Sequence, residues 1–303
     1  MIRIFPRRTH WSPADELAFY GPPPLFRPGS RATPVRVSVT FSWDKKRAEA
    51  LARDWGQYYD DVQVGGPAYH SLRVPSPLDE FTPGRFMKEG CTITSRGCPK
   101  ACTYCGVSSS EGPLREVTIK PGWIVQDNNL LACSEKHVRA VFQMLRAQKR
   151  CVFFNGGLDK DYLRDWHRAE FDAVRIGELW FACDRVTDLP RLERAARILQ
   201  GIPKSKLRCY VLLGFENESL GIAEKKVERV FELGFMPFTQ LYQGEEIQVY
   251  SKAWRDLNRK WARPAAYMSK TDLQPNFLSQ LETPACKPLD SRAIQGNIDR
   301  DIE

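Results

Sequence analysis

The sequence has no run of about 18 apolar residues, the length that a membrane-spanning helix needs, although 42% of its 303 residues are hydrophobic. Its first residues, MIRIFPRRTHWSP, lack the apolar core of a secretory signal. No segment repeats with the period of about 20–50 residues that is typical of a solenoid. We therefore expect a globular, cytoplasmic monomer that makes no contact with a membrane.

Cysteine is plentiful, and its spacing indicates a metal site. Nine cysteines are present, and without a secretory signal clustered thiols favour metal ligands over disulfides. The stretch SRGCPKACTYCGVSS places Cys98, Cys102 and Cys105 within eight residues. Structural zinc sites and ferredoxin clusters both use four ligands, but the nearest other cysteine, Cys91, opens a predicted strand away from this loop. Three thiolates on a [4Fe-4S] cluster leave one iron open to a small molecule, which is typical of a catalytic site.

Strand-like and helix-like segments alternate through the middle of the chain. Helices are expected between successive strands, including a short one near 160–167. This alternation predicts a parallel sheet with right-handed crossovers, either an open doubly wound sheet or an incomplete barrel. In both folds the active site lies at the carboxyl ends of the strands, and the cysteines follow the first of them. The predicted strands are 91–95, 123–127, 151–155, 178–184, 208–214 and 235–242.

The cysteine loop, with Tyr104 just before Cys105, resembles the signature of the radical S-adenosyl-L-methionine (radical SAM) superfamily. The resemblance covers roughly residues 88–243. It implies an α/β fold with a partial (β/α)6 TIM-type barrel and a single [4Fe-4S] cluster on Cys98, Cys102 and Cys105. It also implies that S-adenosyl-L-methionine (SAM) binds the open iron and is cleaved reductively to methionine and a 5′-deoxyadenosyl radical, with flavodoxin or ferredoxin as electron donor. Abstraction of hydrogen by this radical needs no acid–base pair, and the sequence has no obvious one.

The resemblance further assigns SAM contacts by their position at the ends of predicted strands. Family members commonly carry a Gly-Gly-Glu motif for the SAM amine, whereas this chain reads QDNN at 126–129, so Asp127 or Asn128 would accept from the amine or cap the next helix. Asp184 would bind a ribose hydroxyl or cap a helix. Gly214 would admit the adenosyl group or form a turn. The complete set of expected cofactor contacts is Tyr104, Asp127, Asn128, Asn155, Asp184 and Gly214, with Gln240 and Tyr242 as the weakest candidates.

Composition divides the chain into four parts. Residues 1–34 are rich in proline and are expected to form an extended arm without strand or helix of its own. Residues 35–87 are predicted to form a small β-α-β leader, 88–243 the core, and 244–303 a C-terminal helix with a polar tail. The leader resembles a fragment of the cobalamin-binding domain that precedes many radical SAM cores. It lacks the Asp-x-His-x-x-Gly run that supplies the cobalt ligand, and His70 lies in no such run, so we expect no cobalamin.

The substrate is less well defined by the sequence. The net charge of +8 slightly favours a nucleic acid or nucleotide. In the C-terminal helix, Trp254 and Trp261 share one face, and Arg255, Arg259 and Lys260 lie on the remainder. This helix is either a nucleic-acid platform or, as we favour, a cover for apolar surface of the barrel. The alternative to an enzyme is a non-catalytic, zinc- or iron-sulfur-stabilised protein that binds nucleic acid.

Overall fold

The computed structural model describes residues 1–69, 86–244 and 248–262, together with residues 264 and 267. The predictions for His70 and for the polar tail beyond residue 270 lie outside these ranges. The elements in chain order are β1 (Ile2–Ile4), β2 (Ala18–Phe19), β3 (Val35–Ser38), α1 (Lys45–Gly56), β4 (Val62–Gly65), β5 (Cys91–Thr92), β6 (Ser95–Arg96), α2 (Val107–Ser110), β7 (Arg115–Glu116), β8 (Ile124–Val125), α3 (Glu135–Gln148), β9 (Cys151–Phe154), α4 (Trp166–Asp172), β10 (Arg175–Ala182), α5 (Leu189–Ile198), β11 (Leu207–Leu213), α6 (Leu220–Glu232), β12 (Met236–Leu241) and α7 (Lys252–Trp261).

The larger sheet is parallel and has six strands in the order β12-β11-β10-β9-β8-β5. Each strand therefore lies beside its predecessor in the series, without the reversal of order that a doubly wound sheet shows. Helices α3 to α6 alternate with these strands along the chain, and their apolar residues share one large core with one face of the sheet. The predicted α/β class with a parallel sheet is confirmed.

The first 34 residues do contain strands, so the prediction of an arm without secondary structure is wrong. A smaller parallel sheet has the order β2-β1-β3-β4, and β1 is one of its two inner strands. Ile2 and Ile4 have no exposed surface and pack with Val35 and Val37. A three-residue strand shows too little periodicity to be recognised, and its partner lies more than 30 residues away along the chain.

Two predicted elements of the core have different bounds in the structure. The predicted strand 91–95 is divided into β5, which joins the large sheet, and β6, which pairs antiparallel with β7. The short helix begins at Trp166 rather than near 160, because Asp159 and Asp161 bond to Lys100 and hold the preceding segment in a loop. Both differences bring polar side chains toward the cysteine loop.

Helix α7 packs on the end of the sheet next to β12, as the cover interpretation predicts. Trp261 is 6% exposed and contacts the Phe231 ring of α6 at 5.5 Å between ring centroids. Thr239 Oγ1 of β12 donates to Asn258 O at 3.1 Å. The tryptophans are therefore used in packing. No helix among the described residues has the length and apolar character to cross a membrane.

Candidate functional site

The three loop cysteines lie between β6 and β7, just beyond the carboxyl end of β5. Hydrogen bonds close the base of this loop: Gly97 N donates to Glu111 Oε2 at 3.2 Å, and Cys98 N donates to Gly112 O at 3.3 Å. Arg96 forms a second contact with Glu111 through an ion pair. Gly97 has φ +77°, and a Cβ atom there would lie 2.2 Å from a backbone oxygen across the loop, so the position requires glycine. The base of the loop is thus fixed by protein bonds alone.

The thiols themselves are accessible and close to one another. Cys105 is exposed, and Cys98 and Cys102 are partly buried. Burial raises the pKa of Cys105, and the nearby Cys102 and Cys98 thiols raise it further. Asn129 Nδ2 donates to Cys98 Sγ at 3.4 Å. Across the ranges that the structure covers, no group of three or more His, Cys, Asp or Glu side chains is arranged to hold a metal ion.

Asp127 anchors the entrance to the cysteine loop. Its Oδ1 accepts from Thr94 N at 2.6 Å, and its Oδ2 accepts from Thr94 Oγ1 at 2.5 Å and Ser95 Oγ at 2.8 Å. The residue is 1% exposed, and burial raises the pKa of its carboxyl group. Ser134 is the residue whose side chain caps α3. The structure therefore gives Asp127 an anchoring role, and the capping alternative for it is wrong because Ser134 caps α3.

Four buried amide atoms at the ends of β8 and β9 have no hydrogen-bond partner in the described part of the chain. They are Gln126 Nε2, Asn128 Oδ1, Asn129 Oδ1 and Asn155 Oδ1. A buried polar atom left unpaired costs about 1–3 kcal/mol, so several together indicate a place where a polar ligand binds. The predictions for Asn128 and Asn155 place them at this edge, and the structure brings them there. Asn129 belongs to the QDNN run but was not predicted as a contact.

Gly156 allows the ends of β8 and β9 to meet. Asn155 N and Gly156 N both donate to Val125 O, at 3.1 and 3.2 Å. A Cβ atom at Gly156 would lie 2.1 Å from Asp127 O, a distance that no side chain tolerates. The glycine after Asn155 therefore lets the backbone segments that carry the unpaired amides approach closely.

Tyr104 and Asp184 form a hydrogen-bonded pair that connects the cysteine loop to the end of β10. Tyr104 Oη donates to Asp184 Oδ2 at 3.0 Å. Burial raises the pKa of Asp184, and burial together with the Asp184 charge raises the pKa of Tyr104. Asp188 Oδ2 accepts from the backbone N of Asp184 and Arg185, at 3.1 and 3.0 Å, so Asp188 caps this turn. The capping alternative for Asp184 is therefore wrong.

A group of aromatic rings lies next to the Tyr104–Asp184 pair. The Phe215 ring lies 4.9 Å from the Tyr104 ring and 4.9 Å from the Tyr242 ring, between centroids. Gly214 has φ +76°, and a Cβ atom there would lie 2.8 Å from the Tyr250 ring. Gly214 is therefore required both by its backbone conformation and by the close aromatic ring. Phe215 follows the predicted Gly214 but was not recognised from the sequence.

A charged network, also not predicted, fastens the tip of the cysteine loop. Lys100 Nζ lies 3.0 Å from Asp159 Oδ1 and 2.5 Å from Asp161 Oδ2. Asp159 Oδ2 also accepts from Asn129 Nδ2 at 3.0 Å. Although burial opposes this charge, the two aspartates raise the pKa of Lys100 above its usual range. The position of Lys100 between Cys98 and Cys102 was the only signal for this contact in the sequence.

The remaining free cysteines in the described ranges differ in character from those of the loop. Burial raises the pKa of Cys91 and Cys133 to about 11 each, and that of Cys183 to about 12. Cys209 is buried, and burial raises its pKa well above the ordinary value. These thiols lie outside the cysteine loop, and the buried Cys183 and Cys209 pack as small apolar side chains.

No family model matches this chain, and none of the curated proteins matches it. The function is therefore inferred below from the side chains and their arrangement.

Proposed function

We propose that this chain is a radical SAM enzyme with one [4Fe-4S] cluster on Cys98, Cys102 and Cys105. The observation that carries the proposal is a loop of three thiols beyond the first strand of a parallel sheet, beside four buried amide atoms that lack partners. When bound, the cluster would supply the electron that cleaves SAM. The electron donor would be a flavodoxin or ferredoxin.

The residues of the loop fit such a cluster by their chemistry. Cysteine thiolates are the usual ligands of iron–sulfur clusters, and hydrogen bonds to sulfur tune the reduction potential. Asn129 already donates to Cys98 Sγ. The thiols are not arranged for a metal ion as they stand, so iron and sulfide would draw them together while the base of the loop stays fixed.

The unpaired amides fit the amino-acid end of SAM. An ammonium group has donors only, and Asn128 Oδ1, Asn129 Oδ1 and Asn155 Oδ1 are buried acceptors. Gln126 Nε2 is a donor suited to the carboxylate. These four residues would bind and orient SAM, while Asp184, held by Tyr104, would accept from a ribose hydroxyl at the other side of the site.

We also propose that the six-stranded sheet curves into a partial (β/α)6 barrel. Its strand order follows the chain order, as a barrel requires. The face that does not carry the helices is buried as well: Trp180 is 4% and Phe238 3% exposed. Both rings pack on Tyr210, at centroid distances of 4.5 and 5.6 Å. Side chains of the sheet itself bury this face, and inward curvature of the sheet explains how they reach one another.

Anaerobic reconstitution with iron and sulfide tests the proposal. About four irons per chain should bind, and Cys98→Ala, Cys102→Ala or Cys105→Ala should each abolish binding. The matched control Cys133→Ala should retain the cluster, because that residue lies outside the loop. Reduced, loaded protein should then convert SAM to 5′-deoxyadenosine.

Two results would contradict the enzyme proposal. Tight tetrahedral zinc without iron in anaerobically purified protein would favour the non-catalytic binding protein. A fully loaded and reduced cluster that forms no 5′-deoxyadenosine would show that the catalytic assignment is wrong.

A further inference from the structure

The smaller sheet has a ligand-binding edge of its own. In the order β2-β1-β3-β4, β2 lies on one side of β1, and the next strand in the chain, β3, lies on its other side. In parallel α/β sheets, ligands bind outside the carboxyl ends of the strands where the order reverses in this way. That position lies between β1 and β3, and neither the cysteine loop nor the unpaired amides belong to it.

The residues that follow β1 and β3 place an exposed aromatic surface at this edge. The Trp43 ring stacks on Phe41 at 4.8 Å between centroids, with 8° between the ring planes, and Trp43 is 62% exposed. The Arg7 guanidinium lies 5.8 Å from the Phe41 ring centroid. Arg7 also donates to both carboxylate oxygens of Asp44, at 2.7 and 2.8 Å. The indole is thus held flat against a supporting ring.

Three cationic residues follow Trp43 closely along the chain. Lys45, Lys46 and Arg47 open α1, whose first turn contains no acidic residue. Cations at this end of a helix are disfavoured by the helix dipole, so local helix stability does not explain them. Lys46 and Arg47 are exposed, and neither forms an ion pair with any residue that the structure describes. The one buried carboxylate nearby, Asp44, is already neutralised by Arg7.

We propose that this surface, the leader platform (Arg7, Phe41, Trp43, Lys45, Lys46 and Arg47), binds single-stranded nucleic acid. A base stacks on Trp43, and neighbouring phosphates contact Lys46 and Arg47. Aromatic stacking next to cations is the usual way in which proteins hold single strands, because each unpaired base offers a ring face. A duplex hides those faces. As a statement of the enzyme's substrate class, the inference rests on the proposed function. The binding itself needs only the residues of the leader platform.

The C-terminal basic helix does not offer the same combination. Lys252 and Arg259 both pair with Asp256, and Lys260 Nζ lies 3.6 Å from Glu224. Its Trp261 is buried. Nucleic-acid binding is therefore assigned to the leader platform.

The test measures binding to full-length protein by fluorescence anisotropy with labelled single-stranded RNA, single-stranded DNA and duplex RNA, each about 15 nucleotides long. Single strands should bind more tightly than duplex, and the RNA and DNA arms identify the sugar. Trp43→Ala should weaken single-strand binding at least about fivefold, the lower end of a stacking contribution, and Trp43→Phe should restore part of it. The double variant Lys46→Ala/Arg47→Ala should bind with a shallower slope of log K against log salt concentration. The slope should fall by about 0.7 for each phosphate contact that is lost.

Matched controls lie in the arm and the leader. Phe26 is an aromatic residue of the arm that is 89% exposed, and Arg53 is an exposed cation in the last turn of α1. Phe26→Ala and Arg53→Ala should leave single-strand affinity unchanged. Equal affinity of wild type and Trp43→Ala, or equal binding of duplex and single strand, would overturn the proposal.

Different measurements test the enzyme proposal and the leader platform, so either one can be contradicted without the other. Cluster-free Cys98→Ala protein should still bind single strands, and Trp43→Ala should still bind iron and form 5′-deoxyadenosine from SAM alone. Loss of strand binding in Cys98→Ala would overturn the leader platform without bearing on SAM cleavage.

Discussion

Tyr104 and Asp184 lie 80 positions apart in the chain and share one hydrogen bond. Each was placed at the site from the sequence by its position, Tyr104 beside a cysteine and Asp184 at the end of a strand. Their pairing was not predictable, because it depends on how a loop folds across the sheet. The pair holds one carboxylate oxygen of Asp184 in place, and the other oxygen forms no hydrogen bond with any residue that the structure describes.

Replacement of Asp184 tests its assignment to the ribose. Asp184→Ala should weaken SAM binding by about 1–3 kcal/mol, because one hydrogen bond from the sugar is lost. Iron content should be unchanged, since the residue is not a cluster ligand. Anaerobic calorimetric titration of SAM into reconstituted protein measures the effect. Asp172→Ala, which removes an exposed carboxylate of α4, serves as control, and equal affinity in both variants would rule out the ribose contact.

Asp127 shows the limit of prediction at this scale. A carboxylate after a strand predicts a ligand, a cap or an anchor equally well from sequence. The neighbouring Thr94 and Ser95 show the anchoring role, because their three donors bond to its oxygens. The amide oxygens of Asn128 and Asn155 have no such donors in the part of the chain that the structure describes.

Elements with many buried residues were predictable, whereas elements made by pairing over a long distance were not. Helices α3, α5 and α6 carry clear apolar patterns and lie between strands as expected, and strands β9 to β12 lie close to their predicted bounds. Strands β1, β2, β6 and β7 have two or three residues each. A strand that short forms because its partner is already in place, and that information is absent from a local window of sequence.

The contact between the ends of β8 and β9 provides a test at the level of elements. Gly156→Ala should lower the free energy of unfolding by about 1–3 kcal/mol, because the new methyl group forces the two backbone segments apart. SAM binding should weaken with it, since the unpaired amides separate. Urea unfolding followed by circular dichroism measures the first effect.

Gly221 supplies the matched control for this change. It lies exposed near the start of α6, and a Cβ atom there meets nothing within 4 Å. Gly221→Ala should raise the free energy of unfolding by about 0.4–1 kcal/mol, because alanine restricts the unfolded chain. A Gly156→Ala variant as stable as wild type would show that the strand ends do not meet as described.

The whole molecule combines two parallel sheets, and each has its own edge of strand carboxyl ends. The arm is joined to the rest by packing: Phe5 contacts Phe86, and Lys88 N donates to Trp11 O at 2.8 Å. The net charge of +8 suits an anionic partner, and the leader platform concentrates part of it at one place. The doubly wound order of the leader was not predicted, because its first two strands were not.

The leader leads to a prediction about cofactor content. Because the Asp-x-His-x-x-Gly run is absent from the sequence, protein expressed with cobalamin should retain none after purification. Absorbance spectroscopy detects the corrinoid directly. A stoichiometric corrinoid spectrum would contradict the expectation that residues 35–87 bind no cobalamin.

The protein-only bonds at the base of the cysteine loop have a consequence for how the molecule matures. Asp127, Glu111 and Gly97 secure both stems of the loop by hydrogen bonds within the protein. For the proposed cluster, this arrangement predicts that the chain folds before the cluster binds. The cluster would then reach its ligands through the exposed tip around Cys105.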